Sequence, residues 1–432
     1  MSTRRRILLG IGANGFGQAI SVLVQIASVP ILIGTWGVEL YGEWIIVSAV
    51  PAYLALSDIG LTAVAGNSLA LLADKANRAR MLTIYQSAWA MVSVISASVV
   101  ALVAAGLWFV SPGEALGLTR ITGTTLNVTL LLLFTHVALS MQTGLLQLPF
   151  KAMKRDPHGV AAINVIRLLE WSAATVTALA GGSVVAVALA FVSVRLCGNL
   201  VLLAVIRMSE SGLRIGVGHI RLESMKQLLR PSLASLCFPV GLSFTMQGFI
   251  LLIGHVVGAS GVALFNVYRT FTRVPIQVTT SINQAVWPEL SYAFGARDLG
   301  KTRRLVVKML QIGASLSVVA VLVVYLAGER VIDLWISHAL QHDARLLTAL
   351  TLTALVHILW QPFWVAQVAT NRHTRFAAMF VLISALSLML GSLFLDAFKL
   401  IGAGYAILLS EIMLAVAAFV TFRRSFTVVA HA

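Results

Sequence analysis

Residues 81–110 read MLTIYQSAWAMVSVISASVVALVAAGLWFV, a run without a single charged side chain. Three basic residues, Lys75, Arg78 and Arg80, come just before it. A helix that crosses a membrane needs about 20 consecutive apolar residues, so this stretch predicts a transmembrane helix. The same pattern recurs along the whole chain. Twelve such segments are found, at 7–34, 43–66, 81–110, 124–149, 160–181, 183–207, 232–257, 262–287, 305–327, 346–369, 376–396 and 403–422.

The basic residues alternate between the two ends of these segments. Of the 31 Lys and Arg residues, 23 fall at the N-terminus, in the even-numbered loops or at the C-terminus, when Arg207 and Lys308 at the ends of their spans are counted with the adjoining loops. Four lie in the odd-numbered loops and four lie inside apolar segments. Because cationic loops resist translocation, the basic side is expected in the cytoplasm. An even number of crossings then places both termini there.

The composition belongs to the membrane class and excludes several others. The chain is 59% hydrophobic and 11% charged, with a mean hydropathy of +0.91. The net charge of +15 is explained by topology rather than by nucleic acid, since the charges stand beside the ends of predicted spans. The longest loop, 208–231, has no pattern for a soluble core, which excludes a separate catalytic or nucleotide-binding domain. Cys197 and Cys237 lie in predicted spans and indicate neither a disulfide framework nor a metal site.

The two halves of the chain resemble each other. Residues 32–80 and 252–304 share a Leu-Ile-Gly at the end of a span, a Gly-rich outer turn and a basic loop. Two six-helix lobes of the same orientation would be related by a pseudo-two-fold axis along the membrane normal, with a cavity where they meet. The predicted fold is an all-α polytopic membrane protein of about 12 helices. Its expected divisions are a lobe at 1–208, a cytoplasmic amphipathic linker at 209–230 and a lobe at 231–432.

Two nucleotide-binding patterns are interpreted as accidental. Residues 295–302 read GARDLGKT, which matches the phosphate-binding loop, but membrane spans flank it where a strand and a soluble helix are required. Gly10, Gly12 and Gly15 match a dinucleotide fingerprint, yet no strand precedes them. Glycines inside a span favour close helix approach or a bend instead. No nucleotide and no other cofactor is therefore expected.

Ionisable residues within spans are expensive and mark candidate functional positions. Arg269 and Arg273 stand one helical turn apart, and two guanidinium groups so placed would suit a diphosphate. Structural alternatives are that one of them snorkels outward, or pairs with Asp58 or Glu411. The substrate-binding candidates are Arg269, Arg273, Arg195, Arg167, Gln25 and Gln247. The candidates for an ion-coupling carboxylate are Asp58, Glu170 and Glu411, and no metal-ligand set is predicted.

Several short motifs resemble a known group of transporters. The stretch Pro30–Trp44 reads PILIGTWGVELYGEW and is followed by LSDIGL at 56–61. In the second half, Tyr268-Arg269, Pro275 and WPELS at 287–291 stand in matching places. These motifs look like those of polysaccharide transporters, including O-antigen (Wzx-type) flippases, in the superfamily that also holds lipid II flippases and MATE exporters.

The resemblance implies a function for the whole chain. It implies transfer of an undecaprenyl-diphosphate-linked oligosaccharide from the cytoplasmic to the periplasmic leaflet of the bacterial inner membrane, by alternating access and without catalysis. Lipid II flippases have an arginine in helix eight shortly before a proline, which corresponds to Arg269 and Arg273 before Pro275. Expected partners are the lipid-linked glycan, membrane lipids, and a polymerase and glycosyltransferases of the same pathway. The alternatives are a MATE-like cation-coupled exporter and a membrane glycan polymerase or ligase.

Overall fold

The structure is a computed structural model in which helices dominate. It describes residues 3–54, 56–72, 78–110, 112–153, 155–209, 212–235, 237–296, 298–370 and 372–430. Within these ranges the side chains at 3–8, 10–11, 56–59, 70–71, 230–231, 233–235, 237–238, 288, 299 and 425–430 are outside the description. No described residue lies in a β-strand. The predicted all-α class is confirmed.

The chain divides into two compact units, Met1–Pro239 and Val240–Ala432. The helices of the first unit are α1 (Thr3–Ala52), α2 (Leu56–Leu71), α3 (Arg78–Phe109), α4 (Gly123–Ala152), α5 (Asp156–Leu179), α6 (Val184–Met208) and α7 (Leu222–Ser235). Those that follow are α8 (Cys237–Ser243), α9 (Phe249–Val256), α10 (Ala259–Gly295), α11 (Leu299–Ile336), α12 (Ala344–Ala369), α13 (Thr374–Phe398) and α14 (Leu400–Ala430). A π-helical stretch, Phe244–Gly248, joins α8 to α9.

Ten helical stretches of the described chain are long and apolar enough to cross a membrane. The eighth predicted span, on α10, is not among them, because α10 carries two arginines and several amides that lower its hydropathy. The second predicted span is divided between the end of α1 and the 16-residue α2. The protein is therefore a multi-pass membrane protein, with two of the twelve predicted spans more polar or more broken than the sequence pattern indicated.

The first two predicted spans are not joined by a loop. Helix α1 continues for 50 residues through the first predicted span and into the second, and it bends at Gly37, whose φ of 76° and ψ of 169° are not helical. Gly258, which precedes α10, has nearly the same conformation, with a φ of 92° and a ψ of −179°. A positive φ is open to glycine because it lacks a Cβ atom. Each unit therefore begins with a helix, a glycine bend and a second helix.

The internal repeat extends through the first four helical spans of each unit. Gly258 follows Gly37 by 221 positions, and the same interval separates the first residues of α3 and α11 and of α4 and α12. The packing partners correspond as well. Helix α4 packs against α2, α3 and α6, and α12 packs against α10, α11 and α14. The repeat inferred from the sequence is thus present in the secondary structure and packing of both units.

Helix α7 lies in the predicted linker and extends beyond it. It packs against α2 and α3 of the first unit. Leu228 is buried, Leu222 is exposed, and the backbone of Ser232 approaches Gly60 so closely that a Cβ at Gly60 would lie 2.5 Å from the Ser232 carbonyl oxygen. The helix is therefore docked on the first unit, and the proposed duty as a tether between two six-helix lobes stays a prediction.

The phosphate-loop pattern at 295–302 forms a helix start. Helix α10 ends at Gly295, and the Asp298 carboxylate accepts a hydrogen bond from the Lys301 backbone N–H at 2.7 Å. The Lys301 ammonium pairs with Glu289 at 3.0 Å on the surface. Asp298 is thus an N-cap of α11, which accounts for the aspartate in this pattern.

In the glycine-rich part of α1, Gly17 faces the Asn164 side chain of α5 at a distance that leaves no room for a Cβ.

A buried glutamate holds the loop that precedes α4 in the first unit. Glu43 is fully buried, and its carboxylate accepts hydrogen bonds from the backbone N–H groups of Thr119, Arg120 and Ile121 at 2.6–3.1 Å. The Thr119 hydroxyl donates a further bond at 2.9 Å. These residues lie just before α4, so the carboxylate joins α1 to the start of α4. Charge-assisted hydrogen bonds of this kind are among the strong ones.

We expect Glu43→Gln to destabilise the first unit by about 1.5–3 kcal/mol, because an amide replaces the charged acceptor of buried backbone N–H groups. Denaturant unfolding in detergent micelles would measure this change. The matched control is Glu39→Gln, since Glu39 pairs with Arg120 on the surface at 2.7 Å. An exposed pair of this kind contributes about 0–1 kcal/mol. Equal effects of the two substitutions would contradict the assigned role of Glu43.

Candidate functional site

The first unit contains a buried ionic network between α4, α5 and α6. Arg195 donates from Nε to Glu170 Oε1 and from Nη2 to Glu170 Oε2, both at 2.5 Å. His136 Nε2 lies 3.0 Å from the same Oε1. Arg195 and Glu170 are exposed by only 7% and 3%. The two-pronged geometry matches the guanidinium fork to the carboxylate and leaves both charges compensated.

Arg167, the other arginine within a predicted span of this unit, is separate from that network. Arg167 and Glu170 stand three residues apart on α5, yet Glu170 pairs with Arg195 and not with Arg167. Arg167 donates from Nη1 to the Ser21 hydroxyl at 2.9 Å and is exposed. The structure therefore brings two of the predicted site residues, Arg195 and Glu170, into one ion pair and leaves Arg167 outside it.

The second unit holds the other pair of arginines, on α10. Arg269 donates from Nη1 to the Met246 carbonyl oxygen at 2.9 Å and from Nη2 to Asn266 Oδ1 at 3.4 Å. Its guanidinium carbon lies 5.2 Å from the centre of the Phe265 ring. Arg273 contacts the thioether sulfur of Met246 through Nη1. Both guanidinium groups thus meet at Met246 in the π-helical stretch.

Arg273 has donors that lack strong acceptors. Its Nε is shielded from solvent and has no hydrogen-bond partner among the described residues. Its contact through Nη1 is with sulfur, which is a weak acceptor. Within the described chain no carboxylate lies within 4 Å of it. Arg273 as a whole is half-buried, and a guanidinium with a shielded, unused N–H group can bind an anion, since phosphate oxygens suit its geometry.

Glu411 of α14 is the second carboxylate of interest and lies in the same unit. It accepts a hydrogen bond from Trp360 Nε1 at 2.6 Å, and His357 Nδ1 lies 3.2 Å from Oε1. Trp360 and His357 both belong to α12. Among the described residues, no ion pair joins Arg273 to Glu411. The partners of the Glu411 carboxylate are therefore a histidine and an indole, and not the arginine of the predicted alternative.

The other candidates take less defined positions. Gln25 lies on the exposed side of α1. Gln247 lies in the π-helical stretch next to Met246 and is partly buried. The side chain of Asp58 is outside the described residues, so its assignment stays a prediction. Of the six substrate-binding candidates, Arg269, Arg273 and Gln247 lie on neighbouring parts of the second unit.

Sequence reasoning missed several residues that shape these sites. Met246 and Trp360 are apolar or aromatic residues inside spans and gave no signal. His357 was not among the sequence candidates, although it follows His136 by the 221-residue interval of the repeat. Glu43 lies inside the YGEW motif that was used only for the resemblance. A search for ionisable residues at the repeat interval would have found the two histidines.

Comparison with solved structures shows a shared fold. The chain is similar to an inward-facing multidrug resistance MATE family transporter of the MOP superfamily, with 14% identity, a TM-score of 0.72 and coverage of 95% of this chain and 99% of that one. It is similar to the lipid II flippase MurJ in an inward closed conformation, with 12% identity, a TM-score of 0.77 and coverage of 96% and 87%. A MOP superfamily transporter from Pyrococcus furiosus matches with 13% identity, a TM-score of 0.61 and coverage of 98% and 96%. Identities this low show the fold alone.

Sequence comparison gives the family. No curated protein matches the chain. A family model described as "polysaccharide biosynthesis protein" matches residues 59–341, which is more than half of the 432 residues. The resemblance to polysaccharide transporters in the motifs of both halves is thereby confirmed. The chain belongs to the polysaccharide biosynthesis protein family and has the fold of MOP-superfamily transporters.

Proposed function

We propose that this protein is a flippase that moves an undecaprenyl-diphosphate-linked oligosaccharide, an O-antigen or exopolysaccharide repeat unit, from the cytoplasmic to the periplasmic leaflet. It works by alternating access in the bacterial inner membrane, with both termini in the cytoplasm. Family membership and the transporter fold support this function. Translocation requires no covalent chemistry, so the protein acts as a transporter and not as an enzyme.

The single observation that carries the substrate class is the state of Arg273. Among the in-span arginines, Arg195 is neutralised by Glu170, and Arg167 is exposed beside Ser21. Arg273 has a shielded Nε without an acceptor in the described chain, and it lies one turn from Arg269. A half-buried cation whose Nε is shielded and unpaired favours an anionic ligand over a cationic drug. A diphosphate offers several oxygens to two adjacent guanidinium groups.

The remaining parts of the substrate fit the same arrangement. The sugars are polar and would follow the amides of the second unit, where Asn283 donates to Gln361 at 2.8 Å and Gln361 donates to Thr280 at 2.7 Å. The polyprenyl chain is apolar and would stay in the lipid. The pathway enzymes that make and use the lipid-linked unit, glycosyltransferases and a polymerase, are the proposed partners.

The test is reconstitution of the purified protein into vesicles with a fluorescent undecaprenyl-diphosphate-linked saccharide. We expect transfer of the label between leaflets, measured by quenching with a membrane-impermeant reductant, and no transfer in protein-free vesicles. A cationic dye serves as the competing cargo. Dye transport without saccharide transfer would overturn the proposal in favour of a MATE-like exporter, and glycan elongation in the vesicles would favour a polymerase or ligase.

A further inference from the structure

A histidine and a glutamate meet at corresponding places in both units. His136 lies on α4 and His357 lies on α12, and these helices are the fourth spans of their repeats. His136 lies 3.0 Å from Glu170, and His357 lies 3.2 Å from Glu411. The glutamates are on different helices of the repeat, α5 and α14. The histidine position is therefore the same in both repeats, while its glutamate partner belongs to α5 in the first unit and to α14 in the second.

The two pairs differ in the charges around them. Glu170 accepts two hydrogen bonds from Arg195, whose guanidinium is charged at all relevant pH values. Glu411 has no lysine or arginine within ion-pair distance among the described residues, and its partners are His357 and the neutral Trp360 indole. The charge of Glu170 is thus balanced by the permanent cation of Arg195. The partner of Glu411 is His357, which can gain or lose a proton.

The surroundings of Glu411 can be followed helix by helix. Helix α12 contributes His357 and Trp360, and α10 carries Arg273, which forms no ion pair with Glu411 among the described residues. Helices α13 and α9 also pack against α14. Within the described residues they place no charged side chain within ion-pair distance of Glu411. A carboxylate in a membrane span that lacks a fixed cation is costly, and a bound proton removes this cost.

The types of partner favour a proton over a metal cation. A sodium or other hard cation requires several oxygen ligands. Trp360 directs an N–H group at the carboxylate, and a hydrogen so placed repels a cation at that position. His357 presents Nδ1, which can carry a proton or accept one, to the same carboxylate.

From these observations we propose that His357 and Glu411 form a proton-binding site of the second unit, and that the corresponding His136–Glu170 pair of the first unit is a structural ion pair that binds no proton. The binding site itself requires no substrate. Its use to couple proton movement to glycan transfer rests on the proposed function.

The experiment is infrared difference spectroscopy of the lipid-embedded protein between roughly pH 5 and 8, the range in which histidine sites titrate. We expect the C=O stretching band of a protonated carboxyl group to appear as the pH falls. Glu411→Gln removes this band and keeps an acceptor for the Trp360 N–H group. His357→Gln shifts the pH at which the band appears and serves as a second variant. The matched control, Glu170→Gln/Arg195→Gln, removes both charges of the first pair and should retain the band.

The outcomes separate this site from the flippase function. Retention of the full titrating band in Glu411→Gln, or its loss only in the control, would overturn the proposed site. The proposal would also be overturned if the wild-type protein showed neither a titrating carboxyl band that Glu411→Gln removes nor a titrating imidazole band that His357→Gln removes, because the bound proton sits on one of these two groups. Because no substrate is present, a positive result stands even if vesicles transfer no saccharide, in which case only the proposed function fails.

Discussion

Arg273→Ala and Arg269→Ala are expected to lower export of the glycan by roughly ten- to hundred-fold each, since a lost charge-assisted hydrogen bond costs about 1.5–3 kcal/mol. Lysine at either position should also impair export, because an ammonium group keeps the charge but lacks the planar fork that binds two phosphate oxygens. The effect should be larger for Arg273, whose Nε has no acceptor within the described chain. The measurement is surface glycan per folded transporter in a deletion strain.

Abundance and activity must be separated in this experiment. The amount of inserted protein is measured by detergent-solubilised size-exclusion chromatography, and export is divided by that amount. Lys301→Ala provides a matched basic control, since Lys301 lies on the surface and pairs with Glu289. It should export normally, which would also show that the phosphate-loop pattern is inert. Full activity in the Arg269→Ala/Arg273→Ala double variant would contradict a role for this pair and direct attention to Arg167 and Arg195.

Arg195→Ala is expected to destabilise the protein by about 3–5 kcal/mol, because it leaves the buried Glu170 carboxylate without its cation. Glu170→Ala should have a similar effect through the unpaired guanidinium. The double variant Glu170→Leu/Arg195→Met replaces the ion pair by apolar groups and should recover most of the loss, since such replacements are often neutral or stabilising. Denaturant unfolding in mixed micelles gives the free energies.

This cycle distinguishes a structural pair from a substrate site. If the pair is structural, the double variant will regain both abundance and export per folded molecule. Recovered stability with lost export would instead assign Arg195 to the substrate, as the sequence hypothesis allowed. A double variant no more stable than the two single variants would show that the energy lies in contacts beyond the pair, such as Arg195 with Thr143 at 3.5 Å.

The positions of the helices followed from the sequence because they depend on local composition. A run of apolar residues long enough to span the bilayer must form its backbone hydrogen bonds internally, so residues 81–110 were predicted as a helix without any knowledge of neighbours. The outcome was α3 at Arg78–Phe109. The same argument was weaker for α10, where arginines and amides dilute the apolar run, and for the bend at Gly37, which a helical pattern does not reveal.

The family and the internal repeat were also accessible from the sequence. The glycine turns recur at a fixed interval, and the backbone confirms the interval at Gly37 and Gly258. The short motifs at 30–44 and 287–291 resemble those of polysaccharide transporters, and a polysaccharide biosynthesis family model matches residues 59–341, which include the second motif. A position that requires a positive φ is usually occupied by glycine, so this requirement can be recognised from the residue type.

The partners of the in-span charges were decided only by the tertiary structure. Arg195 stands deeper in its predicted span than Arg167, but depth does not give their partners. The packing of α5 on α6 brings Glu170 to Arg195, and the packing of α1 on α5 brings Ser21 to Arg167. Likewise, the packing of α12 on α14 brings His357 and Trp360 to Glu411. Apolar composition determines that a helix lies in the membrane, but the rotation and register of packed helices determine which polar groups meet, because they depend on side-chain fit between segments far apart in the chain.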